Sequence, residues 1–217
     1  MRTKFFSLVA LVMIAFQGAV TSVTADDALY EAPIPADKSL VRFVNAKLKN
    51  GIVLDFSGQK FGVDGKALSA YHIIQNGDYV IGDGLSAVNV KLESGKFYTV
   101  AVGAEIADGV SIVVIEDKAV ENPSKSALSF YNYARQPVDL ALVLKGDTRT
   151  LFKDAAPGSM ASRELPAIDI GLQVQNGTGV IFETDSVSLT ADKRQNVVVL
   201  ETAAGVGAYL VATELNK

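Results

Sequence analysis

The chain has no cysteine, no tryptophan and a single histidine in 217 residues, and each shortage removes a class of chemistry. Without thiols there is no disulfide framework, no thiolate metal centre and no cysteine near the export cleavage point to carry a lipid. With His72 alone, an imidazole-based zinc site is excluded, so metal ligands would have to be carboxylates and carbonyls. A serine hydrolase or acyl transferase needs a base for its nucleophile, normally a histidine held by a carboxylate. His72 is the sole candidate; it sits in the alternating stretch AYHIIQNGDYV, no G-x-S-x-G elbow accompanies it, and it reads as a strand histidine. Gly146-Asp147-Thr148 echoes a hydrolase block but reads as a hairpin turn. Asn76, Asp78 and Asp83 lack the D-x-D-x-D-G order of a calcium loop and read as turn residues. No pair among the acidic residues stands out for glycoside chemistry. The residues therefore assign no catalytic, cofactor-binding or metal position, and no cofactor is expected. Long apolar runs are missing too: the longest, Phe5 to Phe16, is about a dozen residues where a spanning helix needs about 20.

That run, preceded by Arg2 and Lys4 and followed by Val23-Thr24-Ala25, has the form of a secretory signal peptide over residues 1–25, cleaved after Ala25. Removing Arg2 and Lys4 leaves 18 basic against 24 acidic residues, a net charge of −6. Such a balance argues against nucleic acid and against electrostatic capture of a polyanion.

The remainder alternates Val, Ile, Phe and Tyr with polar residues, in short segments broken by Gly, Asn, Asp and Lys clusters, the pattern of an all-β chain. Asn76-Gly77-Asp78, between YHII and YVIG, is the strongest local hairpin signal. KSLVRFVNA at 38–46 returns as KSALSFYNY at 125–133, an offset of 87 residues that repeats Lys38, Ser39, Phe43 and Asn45 as Lys125, Ser126, Phe130 and Asn132. Similar strands follow each copy: IVLDF and VDLALVL, then FYTVAV and NVVVL, then VSIVVI and AYLVAT. Two tandem immunoglobulin-like β-sandwich domains fit this order, at 38–116 and 125–217, joined by a charged, proline-containing linker at 117–124. A single sandwich with a chance echo is the alternative.

Period-2 alternation puts Val41, Phe43 and Asn45, like Leu128, Phe130 and Asn132, on a buried face. The opposite face, Leu40, Arg42 and Val44 against Ala127, Ser129, Tyr131 and Tyr133, has diverged and is expected to be less buried, so that Tyr131→Ala should cost much less than Phe130→Ala. The recurring asparagine is expected to bond backbone at a turn. Tyr131 and Tyr133 are candidate ligand or partner contacts, as a sugar platform or a packing surface. Leu29 and Tyr30 are candidates in the extended leader 26–37, which contains Pro33 and Pro35 and has no counterpart before the second copy.

The leader DDALYEAPIPADKSLVRFVNA, with two β-rich halves and Gly95-Lys96-Phe97-Tyr98-Thr99, resembles the AlgF family of periplasmic alginate O-acetylation proteins. The resemblance spans the whole mature chain. It implies a periplasmic accessory role in acetylating O-2 and O-3 of mannuronate. The implied partners are AlgJ-like and AlgX-like acetylation proteins, a membrane acyltransferase complex (AlgI-like) and, in one reading, alginate itself. No catalytic residues carry over, so a non-catalytic adaptor is expected; a carbohydrate-binding module and an acetyl-transferring enzyme are the alternatives.

Overall fold

A computed structural model describes residues 35–49, 51–107 and 110–213. The signal-peptide residues and Leu29 and Tyr30 lie outside the described residues. The described residues lie in one compact unit. Among the described residues all regular structure is β, in sixteen strands and four four-stranded sheets.

The first eight strands are β1 (Lys38–Asn45), β2 (Ile52–Phe56), β3 (Gln59–Val63), β4 (His72–Gln75), β5 (Gly77–Gly82), β6 (Ala87–Leu92), β7 (Phe97–Ala107) and β8 (Val110–Asp117). They form sheets β4-β1-β7-β8 and β3-β2-β5-β6. The second eight are β9 (Lys125–Tyr133), β10 (Val138–Leu144), β11 (Asp147–Ala155), β12 (Ser159–Pro166), β13 (Asp169–Asn176), β14 (Gly179–Ser188), β15 (Arg194–Thr202) and β16 (Gly205–Ala212). Their sheets, β12-β9-β15-β16 and β11-β10-β13-β14, repeat the same order strand for strand. In both, the first strand runs parallel to the seventh. The expected tandem β-sandwiches are thus observed. Strand β8 ends at Asp117 and β9 begins at Lys125. The stretch between them is tied down, since Glu121 N and Asn122 N donate to Glu164 on β12 at 2.6 and 3.0 Å.

The recurring residues of the repeat each have a physical job. Phe43 and Phe130 fill the two sandwich interiors, with Leu54, Phe56 and Val100 around one and Leu140, Leu172 and Val197 around the other. Ser39 Oγ donates to Glu93 O at 2.8 Å and Ser126 Oγ to Lys193 O at 2.9 Å, fastening the turn before the seventh strand. Asn45 Nδ2 donates to Lys49 O and Asp64 O, and Asn132 Nδ2 donates to Gln136 O and Ala155 O, all at 2.6–2.8 Å. The asparagine therefore closes the loop after the first strand and holds the end of the third, as a backbone-bonding strand-end residue should.

Three expectations need correction. Asn76-Gly77-Asp78 is not a hairpin: β4 pairs with β1 while β5 pairs with β2 and β6, so the chain crosses between sheets at Asn76. Gly77, at φ +146°, supplies the conformation that a corner needs as much as a tight turn does. The leader is not wholly unrepeated, because Lys38 N bonds Pro35 O and Lys125 N bonds Asn122 O at 2.9 and 3.0 Å, the same turn before each first strand. The diverged face is as buried as the conserved one: Arg42, Val44 and Tyr131 are each 0% exposed. The sheets that carry β1 and β9 lie against each other, and Val44, Ala101, Tyr131, Tyr133, Val198 and Leu200 form a third core between the sandwiches. The molecule is therefore a stack of four sheets with three interiors.

Candidate functional site

The middle interior contains a charged cluster. Strand alternation turns Arg42 away from Phe43 and toward the second sandwich, where the guanidinium is fully buried. Its Nε donates to Thr99 Oγ1 at 2.9 Å, and its Nη2 donates to Tyr131 OH at 2.7 Å and Asn196 Oδ1 at 3.0 Å. Asp117, the last residue of β8, lies 3.6 Å from Nη2 and is almost fully buried. Its carboxylate accepts hydrogen bonds from Tyr71 OH at 2.7 Å, Thr99 Oγ1 at 2.6 Å and Tyr131 OH at 2.5 Å. Arg194 closes the ring, donating from Nη1 to Tyr71 OH and from Nη2 to Lys118 O. The Arg42 guanidinium also sits over the Tyr71 ring, 4.6 Å from its centre, where the electron-rich face adds attraction.

These residues come from matched places in the two copies. The registers relate Arg42 to Ser129, Thr99 to Asn196 and Phe97 to Arg194. Asp117 stands opposite Phe97 as Thr213 stands opposite Arg194. One patch on the common sandwich thus faces its own copy, and divergence has made the halves complementary, with the anion and one cation on the first and hydroxyl, amide and second cation on the second.

Burial keeps the phenols protonated: the Tyr131 hydroxyl is pushed up to about 12 by desolvation, with Asp117 adding to the rise. Tyr71 and Tyr133 are raised well above the ordinary phenol range by the same desolvation. Burial acts to lower Arg42, but Tyr131, Tyr71 and Asp117 together leave it raised. The arrangement suits proton-locked hydrogen bonding: the hydroxyls of Tyr71, Thr99 and Tyr131 are engaged inside the cluster, while Tyr133 OH is buried beside it with no hydrogen-bond partner among the described residues. It joins β1, β7, β8 and Tyr71, just before β4, of one sandwich to β9 and β15 of the other.

Tyr131 and Tyr133, expected as a ligand or partner platform, are 0% and 1% exposed and stack on each other 6.2 Å apart in the middle interior. The surface they cover belongs to the neighbouring sandwich, which corrects the platform reading. His72 is half-buried on β4, packed on Phe43 and Phe61, and desolvation lowers its pKa while Asp64 acts in the opposite sense. Gly146 forms the β10–β11 hairpin with Lys145, at φ +88° and +51°. Among the described residues no group of three or more His, Asp or Glu is placed to hold a metal ion. Sequence reasoning missed Arg42, Thr99, Tyr71, Asp117, Arg194 and Asn196 as a unit. The available signal was Arg42 itself, a charge flanked by Leu40 and Val44 on one strand face.

Fold and site define a class: a tandem β-sandwich protein whose buried polar residues fasten two domains together. Within that class the chain belongs to the AlgF family. The family model described as "Alginate O-acetyl transferase AlgF" matches residues 9–199. The alginate biosynthesis protein AlgF of Pseudomonas putida is 26% identical over 181 residues, covering 83% of this chain and 80% of that protein. That of Pseudomonas fluorescens is 25% identical over 189 residues, covering 86% and 82%. Among solved structures, the C-terminal domain of AlgF from P. aeruginosa aligns over 41% of this chain and 98% of its own, at 19% identity and a TM-score of 0.36.

Proposed function

We propose that this chain acts in alginate O-acetylation as a non-catalytic periplasmic adaptor, holding an acetyl-donating protein and a polymer-modifying protein near each other. The observation that carries this reading is the Arg42–Asp117 cluster, which makes two sandwiches one body. Sheets stack about 10 Å apart, so four layers place the outer sheets β3-β2-β5-β6 and β11-β10-β13-β14 about 30 Å from each other in fixed orientation. Two proteins docked on one such body meet at an effective concentration set by that geometry rather than by diffusion. A flexible tether would dilute the effect. The proposed partners are AlgJ-like and AlgX-like proteins and the AlgI-like membrane acyltransferase complex.

Pull-down and sedimentation of the purified mature chain with AlgJ-like and AlgX-like proteins test the reading. Binding to both at once supports the adaptor; binding to neither refutes it. A second reading, acetyl transfer by the chain itself, draws on the transferase wording of the family description. His72→Ala distinguishes the two: acetylation abolished in a stably folded protein favours the enzyme, and acetylation retained favours the adaptor.

A further inference from the structure

A groove of ≈ 540 Å³ runs where the two sandwiches meet beside β16. One wall is Lys66, Ala67 and Leu68, in the segment between β3 and β4; Phe182 of β14 stands on the other side, and between them lie Ala208, Tyr209, Leu210 and Val211. Alternate side chains of a strand point to opposite faces. Four consecutive residues can therefore line one groove only if it follows the strand's edge. Tyr209 and Val211 pack toward the middle interior and Ala208 toward the second sandwich's own core, so the groove opens on the β16 main chain itself.

That edge has its hydrogen-bonding groups set outward. Thr213 N bonds Arg194 O, which in an antiparallel ladder turns Val211 and Tyr209 toward β15 and leaves the N–H and C=O of Ala208 and Leu210 pointing away from it. β16 is the last strand of its sheet. The other outer strands carry the devices that discourage added strands. β12 has Arg163, Glu164 and Pro166; β11 and β14 have charges and register shifts; β3, β6 and β8 have charges; β4 has only four residues. β16, GVGAYLVA, has no charge and no proline. The matching approach on the other side of the stack is closed, because the turn before β12 lies directly on β7: a Cβ on Gly158 would stand 2.5 Å from Ile106 Cδ1.

We infer that β16 and its groove form a slot for an added β-strand, taken from a partner protein. The occupant is an extended segment with apolar residues at alternate positions and an acidic side chain placed to meet Lys66, the one charged residue that lines the groove among the described residues. Main-chain bonds to Ala208 and Leu210 supply pairing, while Leu68, Phe182 and Leu210 select the apolar side chains. The inference deepens the adaptor reading and rests on it for the partner's nature.

A random twelve-residue peptide library displayed on phage, selected on the full mature chain, provides the probe. The expected result is a consensus of alternating apolar residues with Asp or Glu. Its peptide should slow amide exchange at Ala208 and Leu210, and should bind at least tenfold more weakly to Ala208→Pro and to Lys66→Glu. Proline at an outward-facing edge position removes no internal hydrogen bond, so the variant should keep the parent's circular dichroism and Tm. No enrichment, or equal binding to Ala208→Pro, overturns the slot. So does a self-association that Ala208→Pro abolishes, which assigns the edge to a second copy. Exposure of the two amides only after deletion of residues 26–34 also overturns it, by assigning the edge to the chain's own leader. Peptide binding without AlgJ-like or AlgX-like binding would leave the slot standing and remove the adaptor reading.

Discussion

Asp117→Ala is the substitution that most directly tests whether the middle interior unites the two sandwiches. The aspartate is 4% exposed and faces Arg42, which is 0% exposed, together with three hydroxyl donors. Removing it leaves a guanidinium buried against phenols with no anion. Deleting one partner of a buried pair costs about 3–5 kcal/mol, a large share of the 5–15 kcal/mol that holds a typical domain. Arg42→Ala strands the carboxylate and should cost a similar amount. The double variant removes both charges, so its loss should fall short of the sum by about 0.5–3 kcal/mol. Because the cluster sits between the domains, both single variants should also split one urea transition into two, as the sandwiches unfold separately. The chain has no tryptophan, so far-ultraviolet circular dichroism and tyrosine emission are the probes. A loss below about 1 kcal/mol for Asp117→Ala, or additive losses in the double variant, would refute the reasoning that the pair is dry and coupled.

Phe130→Ala should cost about 3–5 kcal/mol, and Tyr131→Ala should cost a comparable amount because both faces of β9 are buried; chemical denaturation of the two variants side by side checks this. Tyr131→Phe should lose about 1.5–3 kcal/mol, as it strips a hydroxyl bonded to two charged groups. Asn45→Ala and Asn132→Ala should each cost about 1–3 kcal/mol by orphaning two backbone carbonyls, and equal Tm losses in the two would show that the repeats use the residue identically. His72 has a lowered folded-state pKa, so the unfolded chain binds more protons just below the ordinary histidine value near 6.5. Stability should therefore be full above that value and fall as pH drops through the window beneath it, and the part removed by His72→Gln should vanish from the pH profile. Tyr71, Tyr131 and Tyr133 have raised pKa values, so stability is intact below pH 10 and is lost above it; ultraviolet titration should show these phenols ionising only as the chain unfolds.

The corner at Asn76-Gly77 shows where local reading stops. A hairpin and a sheet-to-sheet crossing both need a residue tolerant of positive φ, so the same dipeptide serves either, and only the pairing of β4 with β1 separates them. The repeat, by contrast, was legible because Ser39, Phe43 and Asn45 act through neighbours that recur in each copy: a turn carbonyl, a core and a loop. Arg42 and Tyr131 act through residues of the other copy, 89 positions apart in sequence, and no local pattern reports that distance.

Alternation and turn chemistry are set by residues a few positions apart, so the all-β class, the two sandwiches, their matched strands and the inward face of each first strand could be read along the chain. That the diverged faces meet could be seen only in the folded chain. Their burial depends on a second sheet supplied from elsewhere in the chain, and that sheet turned Tyr131 and Tyr133 from surface candidates into interior, Arg42 and Asp117 into a fastening, and the edge of β16 into an open slot.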